Sequence, residues 1–182
     1  MPPALTEDVT RARLKVQADL AKAAAAGVEP PRKNLIAAVI EVYGPRFLPA
    51  FEVLYVDAGD GDRVMNEDTA ALRRAGLDIE LGDSMPDVLL WNQNTDALWV
   101  IEAVTSDGEV DLHKLENLTR FARRHAKKRL GFTTAYASWK EAAARQGKHK
   151  NIAPGTRIWI QEDGAKQFTV ETFETSRQRQ CQ

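Results

Sequence analysis

The chain has 182 residues, of which 43% are hydrophobic and 28% charged, and its formal net charge is −1. That is ordinary for a single globular domain with room for a real core. The one cysteine, Cys181, excludes a disulfide framework and a cysteine-based zinc site, no apolar run reaches the length of a membrane span, and the opening MPPALTEDVT lacks the regions of a signal peptide. These observations predict a cytoplasmic protein with no membrane attachment.

The near-zero net charge hides an uneven distribution. Residues 51–110 carry fourteen acidic side chains against three basic ones, and residues 111–150 carry eleven basic against three acidic. A metal pocket beside a phosphate-binding surface would look like this, and so would two solvated faces that balance.

In chain order, residues 6–26 predict a helix. Thr6 is its cap, Glu7 and Asp8 lie in its first turn, and Val9, Ala12, Val16, Leu20 and Ala23 fall along one face. Gly27 and Pro30-Pro31 stop it, so residues 1–31 read as an alanine-rich helix and a tether. A second helix is predicted over residues 34–43, with Asn34 as cap and Leu35, Ala38, Val39 and Val42 as its apolar face. Residues 52–57 alternate into a strand. The Gly-Asp cluster at residues 57–62 lacks the downstream glutamate of an EF-hand and reads as a turn. A short helix follows over residues 67–75, ended by Gly76, and then a short strand over residues 77–81.

The stretch MPDVLLWNQNTDALWVIEAVTSD, residues 85–107, organises the rest. Two apolar runs, residues 88–91 and 98–104, flank a polar turn and predict a β-hairpin. Glu102 sits within the second run, where a carboxylate is costly to bury unless paired, protonated or on a metal. Antiparallel pairing sets Asp87 opposite Glu102, and converging carboxylates at a sheet end suit a hard divalent cation such as Mg²⁺.

Beyond the hairpin, Asp111 is predicted to cap a helix running to about Lys128, with Leu112, Leu115, Leu118 (or Thr119) and Ala122 on its core face. Residues 130–136 read as a strand and Ser138 as the cap of a helix to about Gln146. A basic loop is predicted over residues 147–154, and a hairpin pairs residues 157–161 with 167–172. The polar tail, residues 174–182, predicts disorder. Trp91, Trp99 and Trp159 fall in strands and read as core or sheet-face residues. Helices interleaved with strands argue for an α/β layer structure.

A strand-initial Pro-Asp followed one hairpin later by a buried glutamate resembles the PD-(D/E)XK nuclease superfamily. More closely, LYVDAGD (54–60), MPDVLLW (85–91), IEAVTSDG (101–108), TTAY (133–136) and TRIWI (156–160), in this order, resemble the catalytic part of BsuBI/PstI-type restriction endonucleases. The resemblance covers residues 34–173 or so. It implies an αβββαβ core, a central mixed sheet flanked by helices, within a nuclease domain over residues 32–173. It also implies a type II restriction enzyme that hydrolyses double-stranded DNA in host defence, expected as a homodimer, with a methyltransferase or recognition subunit as a further partner.

Carried over residue by residue, the resemblance makes Asp87 and Glu102 the ligands of one or two Mg²⁺ ions, helped by the Ala103 carbonyl and optionally by Glu41, which read alone is equally a surface glutamate. The superfamily has a lysine two residues after the glutamate, where this chain has Val104. Lys114 is the candidate replacement, with His113 beside it as the alternative. Thr105 and Ser106 are accessory candidates or simply cap the next turn. Lys114, Arg120, Arg124, Lys127, Lys128, Lys148 and Lys150 are the candidate DNA contacts. The restriction enzymes resembled here carry a substantial N-terminal region, so specificity for CTGCAG does not carry over. Two other readings stay open: a binding or assembly module on a nuclease fold, and a nuclease for RNA or structured DNA.

Overall fold

The computed structural model describes residues 31–57, 66–80, 83, 85–106 and 108–172. Helix α1 (Pro31–Ala38) continues into a π-helical stretch, Val39–Tyr43, and a short α2 (Gly44–Phe47). There follow β1 (Glu52–Val56), α3 (Asn66–Arg74), β2 (Val88–Asn92), β3 (Ala97–Val104) and α4 (Leu112–Arg124). The chain then forms β4 (Arg129–Tyr136), α5 (Trp139–His149), β5 (Arg157–Ile160), a 3-10 turn (Gln161–Asp163) and β6 (Gln167–Thr169). The helix predicted near the N-terminus, residues 58–62 of the predicted turn and the tail lie outside the described residues. Among those described, no helix is long and apolar enough to cross a membrane.

The six strands form one mixed sheet in sequence order. β1, β2 and β3 make an antiparallel meander, β3, β4 and β5 run parallel, and β6 returns antiparallel. The two parallel connections pass through α4 and α5. Both crossovers step across the sheet in one direction, so right-handed connection puts both helices on one face. Their apolar residues agree. Leu118, Phe121 and Ala122 of α4 pack with Leu89, Trp91, Leu98, Val100 and Phe132, and Ala142 of α5 packs with Val104, Tyr136 and Ile160. α1 and the π-helical stretch cover the opposite face, through Leu35, Val39 and Tyr43 against Val88, Leu90, Ile101 and Trp159. All of β2 and nearly all of β3 are therefore buried. Coverage on both faces explains why those strands read as continuous apolar runs.

Several boundaries differ from expectation, each for a local reason. Pro31 opens α1 instead of only ending what precedes it, so Asn34 is inside the helix and caps nothing. Proline suits a first helical position because the amide it lacks has no partner there. The π-helical stretch then shifts the helical phase: Tyr43 is fully buried while Val42, predicted to face the core, is 42% exposed. Residues 77–80 form no strand. Leu77 N donates to Leu72 O at 2.8 Å and Gly76 N to Arg73 O at 2.9 Å, with Gly76 at φ 70°, a Schellman closure of α3 that tucks Leu77 into the core. The end of α4 repeats that motif at Ala126, φ 53°, so the helix stops at Arg124 well before Lys128. Leu112, in its first turn, is 60% exposed rather than on the core face. α5 runs through Gly147 to His149, into the predicted loop.

One close approach is testable. A Cβ on Gly131 would lie 2.3 Å from the Trp99 ring. That indole is held in place by a 3.0 Å bond to Thr133 Oγ1, an edge contact with Phe51 and the Arg157 guanidinium over its face. Gly131→Ala is expected to cost about 2 kcal/mol of stability by urea denaturation, as overpacking does.

Candidate active site

The hairpin register pairs Val88 with Ile101. Extending it one residue sets Asp87 opposite Glu102, as the sequence predicts. Alternation along β3 puts Glu102 on the face it shares with Leu98 and Val100, under α4. Both carboxylates are buried, Asp87 at 7% and Glu102 at 4% exposure. Asp87 Oδ2 accepts a 2.7 Å hydrogen bond from Ala103 N, which locks the strand-initial aspartate to the far strand.

Lys114 lies one turn into α4. The Asp111 cap accepts from Lys114 N at 2.8 Å and fixes that turn against the sheet. The Lys114 ammonium stands 3.0 Å from Glu102 Oε2 and donates to the Gly108 carbonyl at 2.8 Å. The chain reaches that carbonyl through a left-handed turn at Gly108, φ 105°. A buried carboxylate, Glu109, braces the same loop. It receives Arg145 of α5 at 2.7 and 2.8 Å, while Val110 N donates to Thr134 Oγ1 of β4. Burial opposes the Glu109 charge, but the Arg145 pairing prevails and holds its pKa down at about 2.

Glu102 is different. Desolvation pushes its carboxyl up to about 7, against the pull of the Lys114 charge and with a further push from Asp87. Its Oε1 is buried with no hydrogen-bond partner among the described residues. Asp87 and Glu102 border a cavity of roughly 240 Å³, with Lys114, Ala103, Thr105 and Ser106 around it. Two buried carboxylates, one with an orphaned oxygen, fit a hard divalent cation.

Two residues that sequence reasoning did not place belong to this cavity, Arg32 and Asp57. Arg32 donates to Asp57 at 2.9 Å and also bonds Asp87. Asp57 directly follows β1, and its amide donates to the Asp87 carbonyl at 2.8 Å. Pairing the first strand with the second would have revealed Asp57. Nothing local in the sequence points to Arg32, which packing of α1 delivers. Among the described residues, no three acidic, histidine or cysteine side chains are gathered as a ready metal cluster.

Other predicted candidates fall elsewhere. Glu41 is exposed on the π-helical stretch and does not line the cavity. His113 is exposed and bonds Asn117, also away from it. Lys127 cannot serve as a free phosphate contact, because its side chain is only 5% exposed, pairs with Asp96 at 2.7 Å, bonds the Ala75 carbonyl and sits over the Trp91 ring. Arg124 is paired with Asp83 at 2.6 Å and reaches Glu80. Arg120, Lys128, Lys148 and Lys150 are exposed.

A mixed six-stranded sheet with helices on both faces and two acids meeting at the end of its central strands is a restriction-endonuclease-like fold. The solved structure of SdaI restriction endonuclease matches it with a TM-score of 0.64 and 22% identity, over 79% of this chain and 44% of that one. The type II restriction enzyme BsuBI of Bacillus subtilis is 32% identical over 128 residues, 70% of this chain and 39% of that enzyme. The family model for the BsuBI/PstI restriction endonuclease domain matches residues 16–171. The chain belongs to the BsuBI/PstI restriction endonuclease family. It spans less than half the length of the curated relative it matches. Restriction endonucleases of this family generally imply a divalent metal.

Proposed function

We propose that the chain is a Mg²⁺-dependent endonuclease domain that hydrolyses phosphodiester bonds in double-stranded DNA, a type II restriction activity in host defence. The observation that carries this reading is the facing pair Asp87 and Glu102 with the Lys114 ammonium 3.0 Å from the glutamate. In this reading Asp87 and Glu102 hold the cation. The Ala103 carbonyl assists: Ala103 N points to Asp87, and within a strand a residue's carbonyl lies on the same edge as its amide. Asp87 and Glu102 would hold a Mg²⁺ ion here, and the ion would supply polarisation of the scissile phosphate and a more acidic attacking water. Lys114 orients that water and offsets charge built up in the transition state, the work of the motif lysine that Val104 replaces. Arg120, Lys128, Lys148 and Lys150 are the remaining backbone-phosphate contacts. A two-fold dimer is the economical way to cut both strands of a palindrome.

The test is cleavage of plasmid DNA of known sequence with Mg²⁺, beside an EDTA control and an Asp87→Ala, Glu102→Ala double variant. Discrete bands that vanish in both controls are expected. Cutting that persists in EDTA would sink the mechanism. RNA and branched DNA run alongside decide the substrate class. DNA binding without cutting would identify a binding module instead.

A further inference from the structure

We propose that Arg32 is a built-in occupant of the cation site: it bridges Asp57 and Asp87 in the metal-free protein, and its departure lets Asp57 join Asp87 and Glu102 as a third carboxylate for the ion. This rests on the metal-dependent reading above and goes beyond it, since neither Arg32 nor Asp57 has a role there.

Three observations support it. The first is bonding: Arg32 joins two carboxylates from neighbouring strands, so its guanidinium lies where a cation shared by those strands would lie. The second is exposure. The side chain of Arg32 is 41% exposed and that of Asp57 34%, whereas the Asp87 side chain is 9% exposed and pinned by Ala103 N. Arg32 can swing out to solvent from the start of α1 without opening the core, and Asp87 cannot follow it. The third is independent of both: Glu102 Oε1, buried at the same cavity, has no hydrogen-bond partner among the described residues, since Arg32 bonds the two aspartates and the Lys114 ammonium bonds Glu102 Oε2 and the Gly108 carbonyl.

Charge agrees with this exchange. Asp57, Asp87 and Glu102 face Arg32 and Lys114 across the cavity. Lys114 is held by Glu102 and the Gly108 carbonyl and stays. Once Arg32 leaves, three carboxylates face one ammonium, a balance that a divalent ion neutralises.

The experiment measures Mn²⁺ binding by calorimetry to the intact wild-type chain and to Arg32→Gln, Arg32→Lys, Asp57→Asn and Glu102→Gln, each checked by its thermal melt. Removing one unit of competing positive charge at this distance should tighten Mn²⁺ binding about tenfold in Arg32→Gln, and losing one ligand charge should weaken it by a similar factor in Asp57→Asn. Arg32→Lys, which keeps the charge but not the fork, should lie between wild type and Arg32→Gln. Unchanged or weaker binding in Arg32→Gln, or unchanged binding in Asp57→Asn, overturns the proposal while leaving the metal site intact, provided Glu102→Gln abolishes binding. If no variant binds Mn²⁺, the metal-dependent reading fails and takes this one with it.

Discussion

Glu102→Gln is expected to lower Mg²⁺-dependent DNA cleavage by at least about a thousandfold, because it removes a ligand charge from the site where transition-state charge is met. The same change should stabilise the metal-free protein at alkaline pH. The Glu102 carboxyl is raised from its ordinary 4.5 to about 7, chiefly by burial. Below pH 4.5 it is protonated folded and unfolded, so it has no effect on stability there. Between 4.5 and 7 the folded state holds a proton that the unfolded state has released. Stability therefore falls as pH rises through that window, and the full penalty applies above it. At 1.36 kcal/mol per pH unit the loss is on the order of 3 kcal/mol. Glutamine does not titrate, so urea denaturation in EDTA at pH 5 and pH 8 should show a decline in the wild type that the variant lacks. Curves that stay parallel across pH would mean the carboxylate is solvated in solution. Near-wild-type cleavage by the variant would remove Glu102 from the mechanism.

The hairpin and its two acids were legible because strand periodicity is strict. Once residues 88–91 and 98–104 pair around one turn, Asp87 has to meet Glu102, and no distant part of the chain alters that. Lys114 entered through the family resemblance rather than through periodicity; the Asp111 cap then sets the first turn of α4, with Lys114 on it, 3.0 Å from Glu102. What the sequence does not display is set by packing between remote elements. Arg32 enters the site because α1 lies across the sheet, a fact written in the buried face of Leu35 and Val39 and not in the arginine's neighbours. The π-helical stretch turns Val42 outward against its own periodicity. Lys127 looked like one more member of a basic cluster, yet Asp96, a turn residue far away in sequence, draws it inside. Ala126 closes α4 in a conformation usually signalled by glycine or asparagine, so the helix end carries no marker.

Lys114→Met is expected to reduce cleavage by about a hundredfold or more, the scale of losing a positioned proton-transfer or charge-stabilising group. Methionine keeps most of the side chain's volume and removes the ammonium with its hydrogen bond to Gly108 and its ion pair to Glu102, so the thermal melt should move little at a pH where Glu102 is protonated. A pH profile separates a chemical role from a structural one. Without the ammonium at 3.0 Å, the Glu102 carboxyl loses the charge that opposes its burial, so the rising limb of activity should shift to higher pH. A wild-type rate in Lys114→Met would show that the motif lysine has no replacement on α4. Adding Val104→Lys to that variant restores the lysine at its usual strand position, and no rescue is expected. Val104 is 1% exposed and packed with Tyr136, Ala142 and Ile160, so an ammonium there would be stranded in an apolar cluster. In this chain α5 fills the strand position with core, and α4 offers the nearest place from which a cation reaches Glu102 while its stem stays packed and its ammonium stays bonded.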